Sequence, residues 1–304
     1  MTAIDGNNYC SISGNKPDFS TGNTFYIKAD HLHSGKHISR LTFRGVLHGY
    51  QYYNVDNQSH MLREGSYLLV NKGQTYYSEV NSVDPVESII VAFEGEIVND
   101  VFSNLVNSEG ELLDFPFYYT QTGNFYFPEG VYQQDLQVSK ILKNLKRGII
   151  EKNKDLVFYD QLHFKLLERI LKNYQKHLKK INRIQNKKKS TKLELLRRID
   201  IARDYMNAYF MKKLTLSEIS REAAMSPFHF LRTFKDLYRI TPYEHITTER
   251  LRFACYLLAN SRKSVAEISS EVGFESPSSF GRLFKNRLRL SPEAYRTKKS
   301  NIRI

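Results

Sequence analysis

A segment of seventeen residues near the C-terminus is written twice, fifty residues apart. Residues 226–242 read SPFHFLRTFKDLYRITP, and residues 276–292 read SPSSFGRLFKNRLRLSP. Each copy opens with Ser-Pro, which suits an N-cap hydroxyl followed by a proline at the first helical position. A solenoid needs about three repeats, and this chain has only two. The repeat therefore predicts a duplicated pair of helices.

A short helix is predicted directly before each copy of the repeat. TLSE at 215–218 and SVAE at 264–267 are capping boxes, in which the first and last side chains each accept from the other residue's backbone N–H. Two short helices joined by a tight turn, the second rich in Arg and Lys, form a helix-turn-helix. Two such motifs are therefore predicted, at about residues 215–237 and 264–287.

The region from about Leu193 to Arg296 resembles the DNA-binding domain of the AraC/XylS transcription regulators. Besides the two motifs, three segments carry the resemblance: R-I-x-x-A-R-x-Y at 198–205, R-L-x-x-A-x-x-L-L at 250–258 and F-K…S-P-x-x-Y-R at 284–296. The first motif departs from the family pattern at Ala224, where Gly is usual, and at His245, where an aromatic residue is commoner. Neither residue is expected to read a base.

The resemblance carries expectations for the whole chain. It implies that the N-terminal region is a cupin-like barrel and that the helices after it form a dimer contact, so that the protein is a homodimer. It also implies a transcription activator, with RNA polymerase as a partner. Control would come from a small-molecule effector or a protein partner bound to the N-terminal domain.

Basic residues are concentrated in the second half of the chain. Residues 1–130 carry 7 Lys and Arg against 15 Asp and Glu, whereas residues 187–304 carry 25 against 12. A basic excess that coincides with two helix-turn-helix motifs indicates binding to a polyanion, here double-stranded DNA. A solvated basic face, the alternative, explains the charge but not this coincidence.

Residues 24–94 are typical of short strands separated by turns. Turn residues recur at DNQ 56–58, NKG 71–73 and VDP 83–85. Several short strands in succession indicate a small barrel or sandwich. The predicted fold class is therefore α+β: a small, cupin-like N-terminal β-barrel with flanking helices, and an all-α C-terminal domain with two helix-turn-helix motifs.

Three other segments in the first half carry less definite patterns. Residues 1–22 are polar and are expected to be poorly ordered. Residues 96–106 are expected to be helical. Residues 114–130 contain seven aromatic side chains, which would either wall a ligand cavity or pack as a loop on the barrel, and we favour the loop.

No pattern in the sequence indicates an enzyme, a metal site or a cofactor. His31, His33, His37 and His48 lie close together in the chain, but no carboxylate follows the first pair as a cupin metal site requires. The phosphate-loop and nucleophile-elbow patterns are both absent. The chain has no signal peptide and no apolar run near the roughly 18 residues of a membrane span, so a cytoplasmic protein without a membrane partner is predicted.

From Val131 onward the hydrophobic spacing is helical. A long helix at about 155–183 has apolar residues near heptad spacing, among them Leu167 and Ile170. Such a stripe either covers the core of its own domain or forms a dimer seam, and the family favours the seam. The predicted organisation is a regulatory domain at 1–130, a helical dimerisation segment at 131–183, a linker at 184–191 that ends at a capping box of Thr191 and Glu194, and a DNA-binding domain at 192–304.

Helical spacing gives the second helix of each motif a core face and an outward face. The core faces are predicted to hold Phe230, Phe234 and Leu237 in the first copy and Phe280, Phe284 and Leu288 in the second. The residues expected to contact DNA are Ser226, Phe228, His229, Leu231, Arg232 and Lys235 in the first copy and Ser276, Pro277, Ser278, Gly281, Arg282 and Lys285 in the second.

Within these two faces, the residue types suggest different roles. Arg232 is the best candidate for a bidentate contact with guanine, and Phe228 or Leu231 for contact with a thymine methyl group. A phosphate contact is the alternative for Arg232. Arg282 is the main candidate reader in the second copy, whose small neighbouring residues predict that it adds affinity more than specificity.

The sequence as a whole predicts a sequence-specific DNA-binding transcription regulator that is controlled through its N-terminal domain. The runner-up is an architectural DNA-binding protein whose N-terminal half only oligomerises. A cupin-type enzyme with a DNA-binding tail has the least support.

Overall fold

The computed structural model describes residues 18–19, 23–93, 127, 130–185 and 188–300. The chain divides into two compact units, Met1–Lys179 and Lys180–Ile304. The helix expected at 96–106, the N-terminal segment 1–17 and most of the aromatic segment 114–130 lie outside the described residues. Within the described residues, no helix is both long and apolar enough to cross a membrane.

The described part of the first unit forms an antiparallel sheet that closes into a nearly complete barrel. Its strands are β1 Asp18–Phe19, β2 Thr24–His33, β3 His37–Ile38, β4 Thr42–His48, β5 Tyr50–Val55, β6 Gln58–Arg63, β7 Ser66–Val70, β8 Thr75–Ala92 and β9 Val131–Gln133. The main path runs β1-β2-β8-β4-β7-β9, and the β5–β6 hairpin joins it through β8. Because β8 pairs with β2, β3, β4 and β5, this one long strand holds the barrel together. The predicted N-terminal barrel is confirmed.

Two of the three predicted turns are present, and the third is a bulge. Asp56 and Asn57 have φ angles of 46° and 68°, as a two-residue hairpin turn requires. Gly73, with φ of 89°, turns the chain before β8. Residues 83–85 instead lie inside β8, at a shift in its pairing with β2. Pro85 fits this irregular stretch because it has no N–H to donate to a regular ladder.

The two faces of the sheet belong to separate hydrophobic cores. One core fills the barrel interior, with members that include Ile27, Val46, Tyr53, Leu68 and Ile90. The other lies between the outer face of the sheet and two helices, α1 Leu136–Ile150 and α2 Leu156–Leu178. Val138, Ile141, Leu142, Leu145 and Ile149 of α1 all point into this second core, in agreement with the helical spacing that begins at Val131.

Helix α2 also belongs to the core of the first unit. Leu167 and Ile170 are 0% and 1% exposed, and both pack in the cluster that joins the helices to the sheet. The expectation that these two residues form a dimer seam is therefore wrong. The error has a simple cause: an amphipathic stripe shows that a helix face is covered, but not whether the cover is the same chain or a second copy.

The described part of the second unit is helical. A 3₁₀ turn at Lys179–Arg183 leads into α3 Lys189–Tyr209, α4 Leu216–Glu222, α5 Pro227–Tyr238, α6 Pro242–Asn260, α7 Val265–Glu271, α8 Pro277–Leu288 and α9 Pro292–Ser300. The two predicted helix pairs are α4–α5 and α7–α8. We call α5 and α8 the first and second recognition helices, and α6, which joins the two pairs, the spacer helix.

The linker is shorter than the predicted 184–191. Helix α3 begins at Lys189, so the predicted capping box at Thr191 and Glu194 is wrong. The Glu194 carboxylate instead accepts hydrogen bonds from Arg197 and Arg198, which hold its pKa at about 2. Ile184, within the predicted linker, is 5% exposed.

Candidate nucleic-acid interface

Capping boxes begin both helix-turn-helix motifs, as predicted. Thr215 Oγ1 accepts from the Glu218 N–H at 3.2 Å, and the Glu218 carboxylate accepts from the Thr215 N–H at 2.7 Å. Ser264 and Glu267 repeat this arrangement with the same two distances. In both boxes the hydrogen bond from the backbone N–H to the carboxylate lowers the pKa of the glutamate. The first helix of each motif therefore starts from identical chemistry.

The turn between the two helices uses left-handed backbone in both motifs. Ala224 has φ of 49° and Gly273 has φ of 89°. A Cβ atom at Gly273 would lie 2.4 Å from the backbone oxygen of Met211, so that position admits only glycine. The first motif makes the corresponding turn with a non-glycine residue, at a strain of about 1–2 kcal/mol.

The two recognition helices begin and end in the same way, with one difference. Ser276 Oγ accepts from the Ser279 N–H at 3.2 Å, which confirms the predicted cap. Ser226 occupies the cap position of α5 but makes no side-chain cap hydrogen bond, so the prediction of a capping hydroxyl is wrong at this helix. Both helices end at an arginine in left-handed conformation, Arg239 with φ of 63° and Arg289 with φ of 61°.

The core faces of the recognition helices agree with the prediction except at one residue. Phe230, Phe234, Leu237, Phe280 and Phe284 are all 0% exposed. The exception, Leu288, is 37% exposed, so its predicted burial is wrong. It is the last residue of α8, where the helix ends, and the ring of Tyr295 from α9 packs edge-on against Phe284 at 5.7 Å instead.

The residues predicted to contact DNA lie at the surface of the two recognition helices. The exposed ones are Ser226, Phe228, His229, Arg232, Lys235, Pro277, Ser278, Arg282 and Lys285, and the half-buried ones are Leu231, Ser276 and Gly281. Phe228 is 77% exposed, which is unusual for a phenylalanine and leaves its ring free to contact a partner. The contacts of these residues with DNA stay a prediction.

A polar network supports the C-terminal end of the first recognition helix. The Tyr238 hydroxyl donates to the Asp200 carboxylate and accepts from Arg203 Nη1 at 2.6 Å. Arg203 also pairs with Asp200 at 3.2 Å and with Asp204 at 3.3 Å. Burial and the Asp200 carboxylate raise the pKa of Tyr238 well above its usual value. The sequence pattern did not predict this network, although Asp200 and Arg203 lie in one of the segments that carry the family resemblance.

The first residues of the second unit also contact the end of this helix. Arg183 Nη1 donates to the backbone oxygen of Leu237 at 2.6 Å. Lys180 Nζ lies 4.3 Å from the centre of the Tyr238 ring, and burial lowers its pKa to about 8. Residues 180–183 therefore contact the C-terminal end of the first recognition helix.

The barrel interior holds polar atoms that have no hydrogen-bond partner among the described residues. Register places His60 opposite Tyr53, and Gln51 lies two residues along the same strand, so all three face inward. Both ring nitrogens of His60 and Oε1 of Gln51 are buried without a hydrogen bond to any described residue. Burial lowers the pKa of His60 to about 4. The Arg44 guanidinium lies nearby, 3.8 Å from the ring centre of Tyr76 and 5.5 Å from that of Tyr53.

The histidines considered as metal ligands do not form a site. His33 Nδ1 lies 3.2 Å from Glu79 and His31 Nδ1 lies 3.4 Å from Asp30, in separate exposed pairs. Over the residues that the structure describes, no three His, Cys, Asp or Glu side chains come together in a way that could hold a metal ion.

Two family models match the chain. The AraC-like ligand binding domain matches residues 43–167, which hold most of the barrel, α1 and part of α2. A helix-turn-helix domain matches residues 219–298, which include both recognition helices. The two models place an AraC-like ligand binding domain before a helix-turn-helix domain in this chain. The chain belongs to the AraC family of transcription regulators.

Named relatives are regulators of transcription. The MmsAB operon regulatory protein of Pseudomonas aeruginosa is 35% identical over 92 residues, which is 30% of each chain. The probable transcriptional regulator LumQ of Photobacterium leiognathi is 23% identical over 198 residues, 65% of this chain and 75% of its own. The match to the MmsAB operon regulatory protein spans less than a third of that protein's length.

A solved structure with both regions also matches. ToxT from Vibrio cholerae, with an unsaturated fatty acid bound, aligns over 90% of this chain and 93% of its own, at 14% identity and a TM-score of 0.36.

Proposed function

We propose that this protein is a sequence-specific DNA-binding transcription regulator that activates its target genes. The observation that supports this most is the pair of recognition helices in one compact unit, each with an outward Arg and Lys at matched positions. These are Arg232 with Lys235, and Arg282 with Lys285, and all four are exposed. Two such helices are suited to enter successive major grooves, about 34 Å apart.

Within this proposal the two outward faces differ in role. Arg232 reads a guanine, and Phe228 or Leu231 contacts a thymine methyl group. Arg282 reads a base in the second half of the site, while Lys235 and Lys285 contact phosphates. His229, Ser226, Ser276, Pro277, Ser278 and Gly281 complete the contact surface.

Selection of random DNA fragments by the purified full chain, followed by sequencing, tests the proposal. A sequence-specific regulator enriches one motif with two half-sites about one helical turn apart. Enrichment without a common motif would favour the architectural alternative instead. Affinity for the selected site should fall on the order of 10³-fold between 50 and 200 mM salt if about six phosphates are contacted.

The barrel is proposed to bind a small polar effector. Buried polar atoms without partners are rare and cost about 1–3 kcal/mol each, so the three in this interior favour a ligand that bonds to His60 and Gln51 beside Arg44. A thermal-shift screen of small polar metabolites tests this, with Gln51→Leu as the matched variant. A ligand at 100 times its dissociation constant stabilises the fold by about 2.7 kcal/mol, and this gain should be lost in the variant.

Acid should weaken the first unit through the same histidine. The pKa of His60 is about 4 in the folded chain, against 6.5 for the ordinary group. Between these values the unfolded chain binds a proton that the folded chain excludes, so stability falls as the pH drops from about 6.5 to about 4. A His60→Gln variant should lose this part of the pH dependence in chemical denaturation. An unchanged profile would show that His60 is not the group responsible.

The remaining partners are also proposed from the family. The protein acts as a homodimer in the cytoplasm, contacts RNA polymerase and catalyses no reaction. Residues 1–130 and the helices at 131–183 form the regulatory part. Residues 180–183, which contact α5, transmit the state of the regulatory part to the DNA-binding part. Light scattering tests the dimer: a wild-type chain that is monomeric at micromolar concentration, free and on DNA, contradicts it.

A further inference from the structure

A cleft of about 530 Å³ lies in the second unit, between the spacer helix and the second recognition helix. One wall is the face of α6 that carries Tyr243 and Arg250, and the other is the face of α8 that carries Ser279 and Arg282. Lys213, two residues before the capping box of the first motif, lies at its edge. The cleft therefore lies beside the second motif and reaches the residues just before the first.

The lining of the cleft is rich in positive charge. Lys213, Arg250 and Arg282 line it, against a single carboxylate, Glu275. The Arg250 guanidinium is fixed in place, because it donates to the backbone oxygen of Phe210 at 2.7 Å and to that of Lys212 at 2.9 Å. These bonds hold a positive charge at the wall of the cleft whatever else binds there.

Lys213 can exchange its ion pair with Glu275 for a contact with another anion. Lys213 Nζ lies 3.2 Å from Glu275 Oε1, but the two side chains are 85% and 84% exposed. Ion pairs this exposed add little to stability, so Lys213 can leave Glu275 for a stronger anion at little loss.

The cleft adjoins the surface that is proposed to contact DNA. Arg282 belongs to both, since it lines the cleft and stands on the outward face of α8 beside Ser278 and Lys285. Tyr243, on the opposite wall, is 72% exposed, so its hydroxyl is available to a ligand that approaches from that surface. Arginine, lysine and tyrosine side chains are typical ligands of DNA phosphates.

We propose that this cleft holds the sugar–phosphate backbone of the DNA segment that runs between the two major grooves, with Lys213, Tyr243 and Arg282 as its contacts. The inference rests on the proposed DNA binding and adds a third contact region to the two recognition helices. A backbone seated between the motifs fixes the distance between the two half-sites. Glu275 then competes with phosphate for Lys213.

Two substitutions in the full chain test the proposal on the selected DNA site. Lys213→Ala should weaken binding to all single-base variants of the site alike and lower the slope of log affinity against log salt by about one. Glu275→Gln should tighten binding at low salt, because it frees Lys213. The matched control is Lys263→Ala, which removes a lysine from another ion pair, with Glu271, outside the cleft. Its salt slope should equal that of the wild type.

The outcomes separate this inference from the function on which it rests. If the wild type selects and binds DNA but Lys213→Ala keeps the wild-type slope, the cleft holds no backbone and the inference is overturned alone. Weaker binding by Glu275→Gln would also overturn it, since the pair would then be needed for the fold of the interface. If the wild type binds no DNA at low salt, the proposed function itself fails.

Discussion

The two helix-turn-helix motifs are copies in their backbone and differ in their side chains. Both have a capping box with the same distances, a left-handed turn residue, a Pro-initiated second helix and a left-handed arginine at its end. Yet Phe228 and Leu231 on the first outward face correspond to Ser278 and Gly281 on the second. The same backbone arrangement therefore presents two different outward surfaces.

The two motifs also differ in how the end of the recognition helix is held. In α5, Leu237 is buried and Tyr238 joins the network of Asp200 and Arg203, whereas the corresponding residues of α8 are both exposed. The contacts at the C-terminal end of α5 restrict the motion of this helix and of its outward side chains, which is what base reading requires. This contrast, as much as side-chain size, favours the first motif as the reader and the second as the anchor.

The largest expected effect comes from the turn of the second motif. Gly273→Ala places a Cβ atom 2.4 Å from the Met211 oxygen in left-handed backbone, so the second unit should lose on the order of 3 kcal/mol in urea denaturation. Gly281→Ala is the control, since nothing lies within 4 Å of a Cβ there. In a helix this change should stabilise by about 0.5–1 kcal/mol. Equal effects of the two substitutions would contradict the geometry of the turn.

A second effect separates the reader from the anchor. Arg232→Ala should lose about 1–3 kcal/mol of binding free energy at one base position and relax discrimination there, whereas Lys285→Ala should weaken all sequences alike. Arg282→Ala should fall between these two. A competition series over single-base variants of the selected site measures all three. The roles are reversed if Arg232→Ala weakens every variant equally and Arg282→Ala changes base preference.

Tyr238→Phe tests the network that distinguishes the two helix ends. It removes a hydrogen bond to a charged partner, so the second unit should lose about 1.5–3 kcal/mol, and hydrogen exchange in α5 should rise. Tyr243→Phe is the matched control, because its hydroxyl lies on an exposed side chain and its loss should change stability by less than about 0.5 kcal/mol. Similar losses from both would show that the network adds nothing.

Local pattern accounts for what the sequence predicted correctly. The capping boxes, the phenylalanine stripes of α5 and α8 and the strands of the barrel each depend on residues close together in the chain. The contacts that the sequence did not predict join residues far apart in the chain: Arg183 with Leu237, Arg203 with Tyr238, and Arg250 with Phe210. Helical spacing shows which side of a helix is covered but not which element covers it. For this reason the spacing of Leu167 fits a dimer seam as well as the core in which the residue lies.

Element ends were the other source of error, and the reason is again physical. Leu288 continues the apolar spacing of α8, but the helix stops there and Arg289 turns the chain away from the core. Thr191 and Glu194 match a capping box, but the helix starts earlier and Glu194 pairs with arginines instead. A short pattern specifies a local bond, and longer-range packing decides whether that bond forms.

The smallest expected effect is at Ala224, where the first motif departs from glycine. Its φ of 49° costs an alanine about 1–2 kcal/mol, while a glycine there would lose about 0.5–1 kcal/mol through the greater freedom of the unfolded chain. Ala224→Gly should therefore stabilise the second unit by roughly 0.5 kcal/mol. Ala223→Gly is the neighbouring control: with φ of −78° it has no strain to relieve, so the same change should destabilise. If both substitutions destabilise, the turn of the first motif is unstrained, and the two motifs differ more in their backbone than their φ angles indicate.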